Sequence, residues 1–203
     1  MPSGLIRAAG TMPPVGVLQF AIIRGDSPIG QHSVQLRQDG ATWTATINVE
    51  IAVSIGPVVV YRYKLAATET WQDDRFATFE SDTNDDGTRL WVRARREVDG
   101  VVVEASGAAR AVLAADAIPM THWNRQCMRA PLFAAKDGKP ARPNVQPRGE
   151  ETITLGNGRA IKAERYTLTG DIALDDWYDQ AGAWASMRTV GRDGSVITYR
   201  RAA

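Results

Sequence analysis

Cysteine and histidine are almost missing from this chain. Its 203 residues include one cysteine, Cys127, and two histidines, His32 and His122. A disulfide within the chain is impossible, and a cysteine-based zinc site would lack most of its ligands. No metal and no cofactor is expected. Long apolar runs are absent too; nothing approaches the ~18 residues of a membrane-spanning helix. Charge of neither sign dominates, since 24 Lys and Arg against 23 Asp and Glu leave a net +1. That balance removes the electrostatic case for nucleic acid as a partner. There is no nucleophile-elbow or phosphate-loop motif, no βαβ alternation and no repeat of fixed period. Residues 1–14 contain no continuous apolar h-region and do not read as a signal peptide. They are expected to form a flexible N-terminal segment ahead of one domain over 15–203. The compartment is expected to be periplasmic or secreted if a leader belongs ahead of this sequence, and cytoplasmic otherwise.

What is present is β-structure. Hydrophobic residues make up 44%, enough for a substantial core. Asp39-Gly40, Asp86-Gly87, Asp99-Gly100, Asn157-Gly158 and Asp193-Gly194 lie between strand-like runs. Such dipeptides tolerate the positive φ angles of tight hairpins. Trp43, Ala45, Ile47, Val49, Ile51, Val53 and Ile55 are apolar at a period of two, with polar residues between most of them. That pattern is a half-buried strand long enough to curve. A second long strand runs from Val58 to about Trp71, and hairpins precede and follow the pair. The alanine-rich stretch Ala108 to Ala117 reads as a short helix. From Ala130 to Gly149 four prolines predict a long loop over the surface or over one mouth of the sheet. The expected fold is all-β and mainly antiparallel. It is one highly curved sheet forming an open or half β-barrel, with at most one or two short helices.

Candidate site residues stand out against this regular background. In the strand Val59, Tyr61, Tyr63, Leu65, Ala67, Glu69, Trp71, strict alternation puts Glu69 on the apolar, aromatic face. A carboxylate there must be paired or hydrogen-bonded, or its pKa must rise. The alternative is a bulge that turns Glu69 outward. The island Thr121-His122-Trp123-Asn124 fits neither a strand nor a turn, and gathers polar and aromatic groups of the kind that contact ligands. It can equally be a structural plug. Tyr61, Tyr63, Glu69, Trp71, His122, Trp123 and Asn124 are the candidate ligand-binding set, and His122 with Glu69 the candidate acid and base. A Cys127–His122 nucleophile pair is chemically possible, although a lone cysteine is usually a small buried apolar residue. Asp82, Asn84, Asp85 and Asp86 resemble a calcium loop in composition, but the spacing of an EF-hand is missing. Asp175, Asp176 and Asp179 flank Trp177-Tyr178, where acids that cap a turn are expected. Trp91, among arginines, is expected to be exposed or stacked on one of them.

Four segments carry a family resemblance: FAIIRGDSPIG (20–30), YRYKLAATETW with FESDTNDDGT (61–71, 79–88), THWN (121–124), and DDWYDQAGAW with DGSVITYR (175–184, 193–200). Together they resemble an uncharacterised bacterial family of domains of unknown function, small β proteins that are usually exported. More distantly they resemble the curved-sheet lipoprotein carriers LolA and LolB. The resemblance points to the cell envelope, and the long alternating strands, their aromatic inner face and the polar island lead to the expectation of an apolar or amphipathic small molecule bound in the concave face of the sheet. The other expectations are an enzyme using the same cavity and a structural envelope protein with no ligand.

Overall fold

The computed structural model describes residues 12–191 and 193–203. Most of the N-terminal segment expected to be flexible, residues 1–11, lies outside the described residues. Eight strands form the first half: β1 (Gly16–Arg24), β2 (Ser27–Asp39), β3 (Thr42–Ile55), β4 (Val58–Gln72), β5 (Arg75–Asp85), β6 (Thr88–Glu97), β7 (Gly100–Ala105) and β8 (Ala111–Leu113). Three short strands follow: β9 (Ile118–Met120), β10 (Leu132–Ala134) and β11 (Pro140–Ala141). The last five are β12 (Asn144–Thr154), β13 (Ala160–Thr169), β14 (Leu174–Asp179), β15 (Trp184–Val190) and β16 (Val196–Arg201).

Thirteen strands make one antiparallel sheet in the order β12-β13-β14-β15-β16-β1-β2-β3-β4-β5-β6-β7-β8. The order is a meander joined at its ends: β1 pairs with β16, with Phe20 opposite Arg201. The break falls mid-chain, because edge strands β8 and β12 do not pair with each other. The sheet is curved and open. Register shifts at Ile22/Ile23, Val53/Ser54, Thr70/Trp71, Pro147/Gly149 and Trp177/Tyr178 accompany the curvature, since a bulge bends the strand that carries it.

The segment between the two edges turns inward as a plug. It carries β9, β10 and β11 as a separate small sheet, and a 3-10 turn at Arg125–Met128. Phe133 meets Phe76 and Phe79 edge-on at 6.0 and 5.7 Å. Trp123 meets Trp71 edge-on at 6.0 Å. The core thus fills the space between the concave face and the plug.

The long alternating strands form where expected. Trp43, Ala45, Ile47 and Val49 are buried, and burial fades beyond Ile51 as the β3–β4 hairpin leaves the core. Two expectations are corrected. Ala108 to Ala117 is not a helix: Ala111–Leu113 forms β8, paired with Val101–Val103. An open sheet edge offers backbone partners that override alanine's helix propensity. The proline-rich stretch is also more regular than a loop. It contains β10, β11 and the start of β12, where Pro147 sits at a bulge of an edge strand, a place that tolerates a missing N–H.

Candidate functional site

Two buried carboxylates hold the plug. Glu69 keeps the inward direction that alternation gives it in β4, and no bulge turns it away; it is fully buried. Its Oε1 accepts from Trp71 Nε1 at 2.6 Å. Its Oε2 accepts from Thr121 Oγ1 and Trp123 Nε1, both at 2.8 Å. Burial pushes its pKa up to about 7, against the three donors, which favour the charged form. With its oxygens engaged on these donors, Glu69 is an anchor for the plug.

The local backbone explains how one tripeptide serves two sites. Trp123 N donates to Thr121 O at 2.8 Å, closing a three-residue turn around His122. His122 has φ 65, a region that non-glycine residues rarely adopt. The turn sends Thr121 and Trp123 to Glu69 and leaves His122 free for a different partner. Its Nδ1 lies 2.8 Å from Asp176 Oδ2. Its ring stacks on Trp184 at 5.0 Å and 16°, and its carbonyl accepts from Tyr178 Oη at 2.8 Å. Asp176 Oδ1 accepts from Trp184 Nε1 at 2.9 Å. One fully buried carboxylate therefore fixes both the imidazole and the platform beneath it. When Nδ1–H donates this hydrogen bond to the Asp176 carboxylate, the other ring nitrogen, Nε2, is left as an acceptor.

Beside His122 lies a cavity of about 610 Å³, bounded by the concave face and the plug. Ile47, Val49, Leu65 and Met187 line it from the sheet, with Met120 and Ile172 opposite. Its polar lining is His32, Tyr63, Thr121, His122 and Tyr199, together with Lys136, Asp137, Lys139 and Asp171. His32 is buried, and its Nε2 has no hydrogen-bond partner among the described residues. Burial, and then the field of His122, lowers the His32 pKa to about 3, so the ring is neutral. Burial raises the Tyr199 phenol to about 12, and that of Tyr63 also goes up.

The candidate residues thus separate. Tyr63 and His122 share the cavity; Tyr61, Glu69, Trp71, Trp123 and Asn124 are not part of its lining. Tyr61 bonds Asp85 at 2.7 Å, and Asn124 Oδ1 caps the 3-10 turn at Gln126 N. Trp71 and Trp123 bind Glu69. Glu69 and His122 do not face a common space, so an acid/base pair of those two is not assembled. Cys127 is buried and meets Tyr178 Oη at 3.3 Å, and burial pushes its thiol up. It is no nucleophile for His122. Asp82 pairs with Arg93, Asn84 caps Gly87 and Asp86 accepts from Arg62 N, so the acidic run is a hairpin turn. Asp179 caps its turn through Ala181 N and Ala183 N, while Asp175 binds Arg165 and Arg188. Trp91 is exposed, with the Arg93 guanidinium 6.0 Å from its ring.

Sequence reasoning underrated Asp176 and His32. The same alternation that exposed Glu69 as an inward acid puts Asp176 on the inner face with Tyr178. His32 lies on the same face of β2 as the buried Val34 and Leu36, and nothing in the sequence reveals its unpaired nitrogen.

Fold and site define an open, barrel-like antiparallel sheet with an internal plug and a side cavity. The chain belongs to the family described as domain of unknown function DUF6134, whose profile matches residues 20–202. A solved beta-barrel-like protein of domain of unknown function DUF1849 from Brucella abortus is similar in fold, with a TM-score of 0.65. The likeness spans 96% of this chain and 98% of that one at 13% identity. No curated protein matches the sequence. No helix of the described residues is long and apolar enough to cross a membrane.

Proposed function

We propose that the chain binds an apolar or amphipathic, lipid-like small molecule in the cavity between the concave sheet and the plug. The observation that carries this reading is the cavity itself: about 610 Å³ with a largely aliphatic wall and a few convergent polar groups. That volume and lining suit a small-molecule site. The resemblance to exported envelope proteins supports placing the activity in the periplasm. Native mass spectrometry with organic extraction tests the reading. A discrete apolar adduct is expected, or one formed on incubation with total lipid extract. It should be lost in Leu65→Trp, which fills the cavity, with the circular dichroism of the fold retained. A chain that stays apo after incubation with the extract overturns the reading.

A second reading is favoured by one observation, the 2.8 Å contact between His122 Nδ1 and the buried Asp176. A histidine oriented by a carboxylate is the usual form of a general base. In this reading the cavity is an active site in which Asp176 orients His122 as the base, and Glu69 takes no part. Turnover of a bound molecule, lost in His122→Gln with binding kept, would support it.

A further inference from the structure

Two imidazoles converge beside Trp184. His122 stacks on the indole at 5.0 Å, and His32 meets it edge-on at 5.1 Å. Both line the same cavity, and both lie at its buried end: the His122 side chain is 15% exposed, against 37% for Lys136 and 79% for Lys139. A buried polar atom without a partner is costly, and native structures rarely leave one so. His32 Nε2 is such an atom, and His32 is one of the residues that line the cavity. His122 Nε2 has no partner among the described residues either, and its role as acceptor is set from behind by Asp176.

We propose that this end of the cavity recognises the uncharged hydroxyl of an alcohol with an apolar body, held between His122 and His32. The proposal rests on the small-molecule reading above and names the ligand's polar end. A hydroxyl both donates and accepts. Its O–H donates to His122 Nε2, and its oxygen accepts from His32 Nε2–H. The neutrality of His32 agrees with this, since a neutral ring supplies a hydrogen bond without a counter-charge. An anionic head is disfavoured by charge. The fully buried Asp176 already places a carboxylate behind His122. The lysines of the lining lie toward solvent and are paired, Lys136 with Asp85 and Lys139 with Asp137.

Dodecan-1-ol, its methyl ether and dodecanoate, titrated into the full chain by calorimetry, test the assignment. The alcohol is expected to bind about tenfold tighter than the ether, which lacks the donor, a difference of ~1.4 kcal/mol. Dodecanoate is expected to bind more weakly than the alcohol. His32→Phe should narrow the preference for alcohol over ether while leaving affinity for the ether in place. Asp176→Asn, which frees the tautomer of His122, should narrow it too, and serves if the first variant fails to fold. Equal affinity of wild type for alcohol and ether overturns the hydroxyl site but leaves the binding reading standing. Tighter binding of dodecanoate overturns it in favour of an anion site. No binding of any of the three overturns the hydroxyl site, and a chain that also stays apo with lipid extract overturns the reading beneath it.

Discussion

Glu69 and His32 pull stability in opposite directions as pH changes. Burial lifts Glu69 from 4.5 to about 7, so between those values the folded state holds a proton that the unfolded chain has lost. Stability from this group falls as pH rises through that window, by roughly 3 kcal/mol in all. Burial lowers His32 from 6.5 to about 3, so in that window the unfolded chain binds the extra proton. Stability from His32 is complete above 6.5 and is lost as pH falls toward 3. The two slopes oppose each other where the windows overlap, from 4.5 to 6.5. Glu69→Gln removes one of them. Urea unfolding of that variant should show stability dropping steadily from pH 6.5 to 4.5, where the wild type is nearly flat. Parallel profiles for the two proteins would show that Glu69 is already charged across this range. At this scale the sequence disclosed a good deal. Period-two alternation marked Glu69 as inward, because successive side chains of a strand point to opposite faces.

Among the elements, β2 and β3 approach each other closely at Gly30. Gly30 stands opposite Ile51, and a Cβ there would lie 2.0 Å from Glu50 O and 2.9 Å from Ile51 Cα. The obstacle is backbone, which cannot swing aside as a side chain does. Gly30→Ala is expected to destabilise by about 2–3 kcal/mol. For a domain of this size that is a drop of roughly 5–10 °C in Tm, measured by thermal denaturation. An unchanged Tm would mean that the strands part without cost. The same scale shows where local reading stops. β8 and the start of β12 are extended because neighbouring strands offer them partners, and no periodicity within Ala108 to Ala117 or Ala130 to Gly149 announces that.

The molecule as a whole depends on β16, which pairs with β15 on one side and β1 on the other. It is the joint between the first and last parts of the chain. Arg201 at its end is buried, bonding Trp184 O at 3.0 Å and Asp179 Oδ2 at 2.8 Å. A chain ending at Gly194 should lose its cooperative thermal transition and its near-ultraviolet aromatic signal, because Trp184 and Phe20, 4.0 Å apart across this joint, lose their frame. A cooperative melt near the Tm of the full chain would show the two parts to be independent. Strands, turns and inward faces were legible in the residues themselves, since they follow from alternation and from the steric freedom of Asp-Gly and Asn-Gly. The pairing of His122 with Asp176, the meeting of His32 with Trp184 and the cavity between them were not. Each joins residues far apart in the chain, and nothing local encodes the strand order or the inward turn of the plug that brings them together.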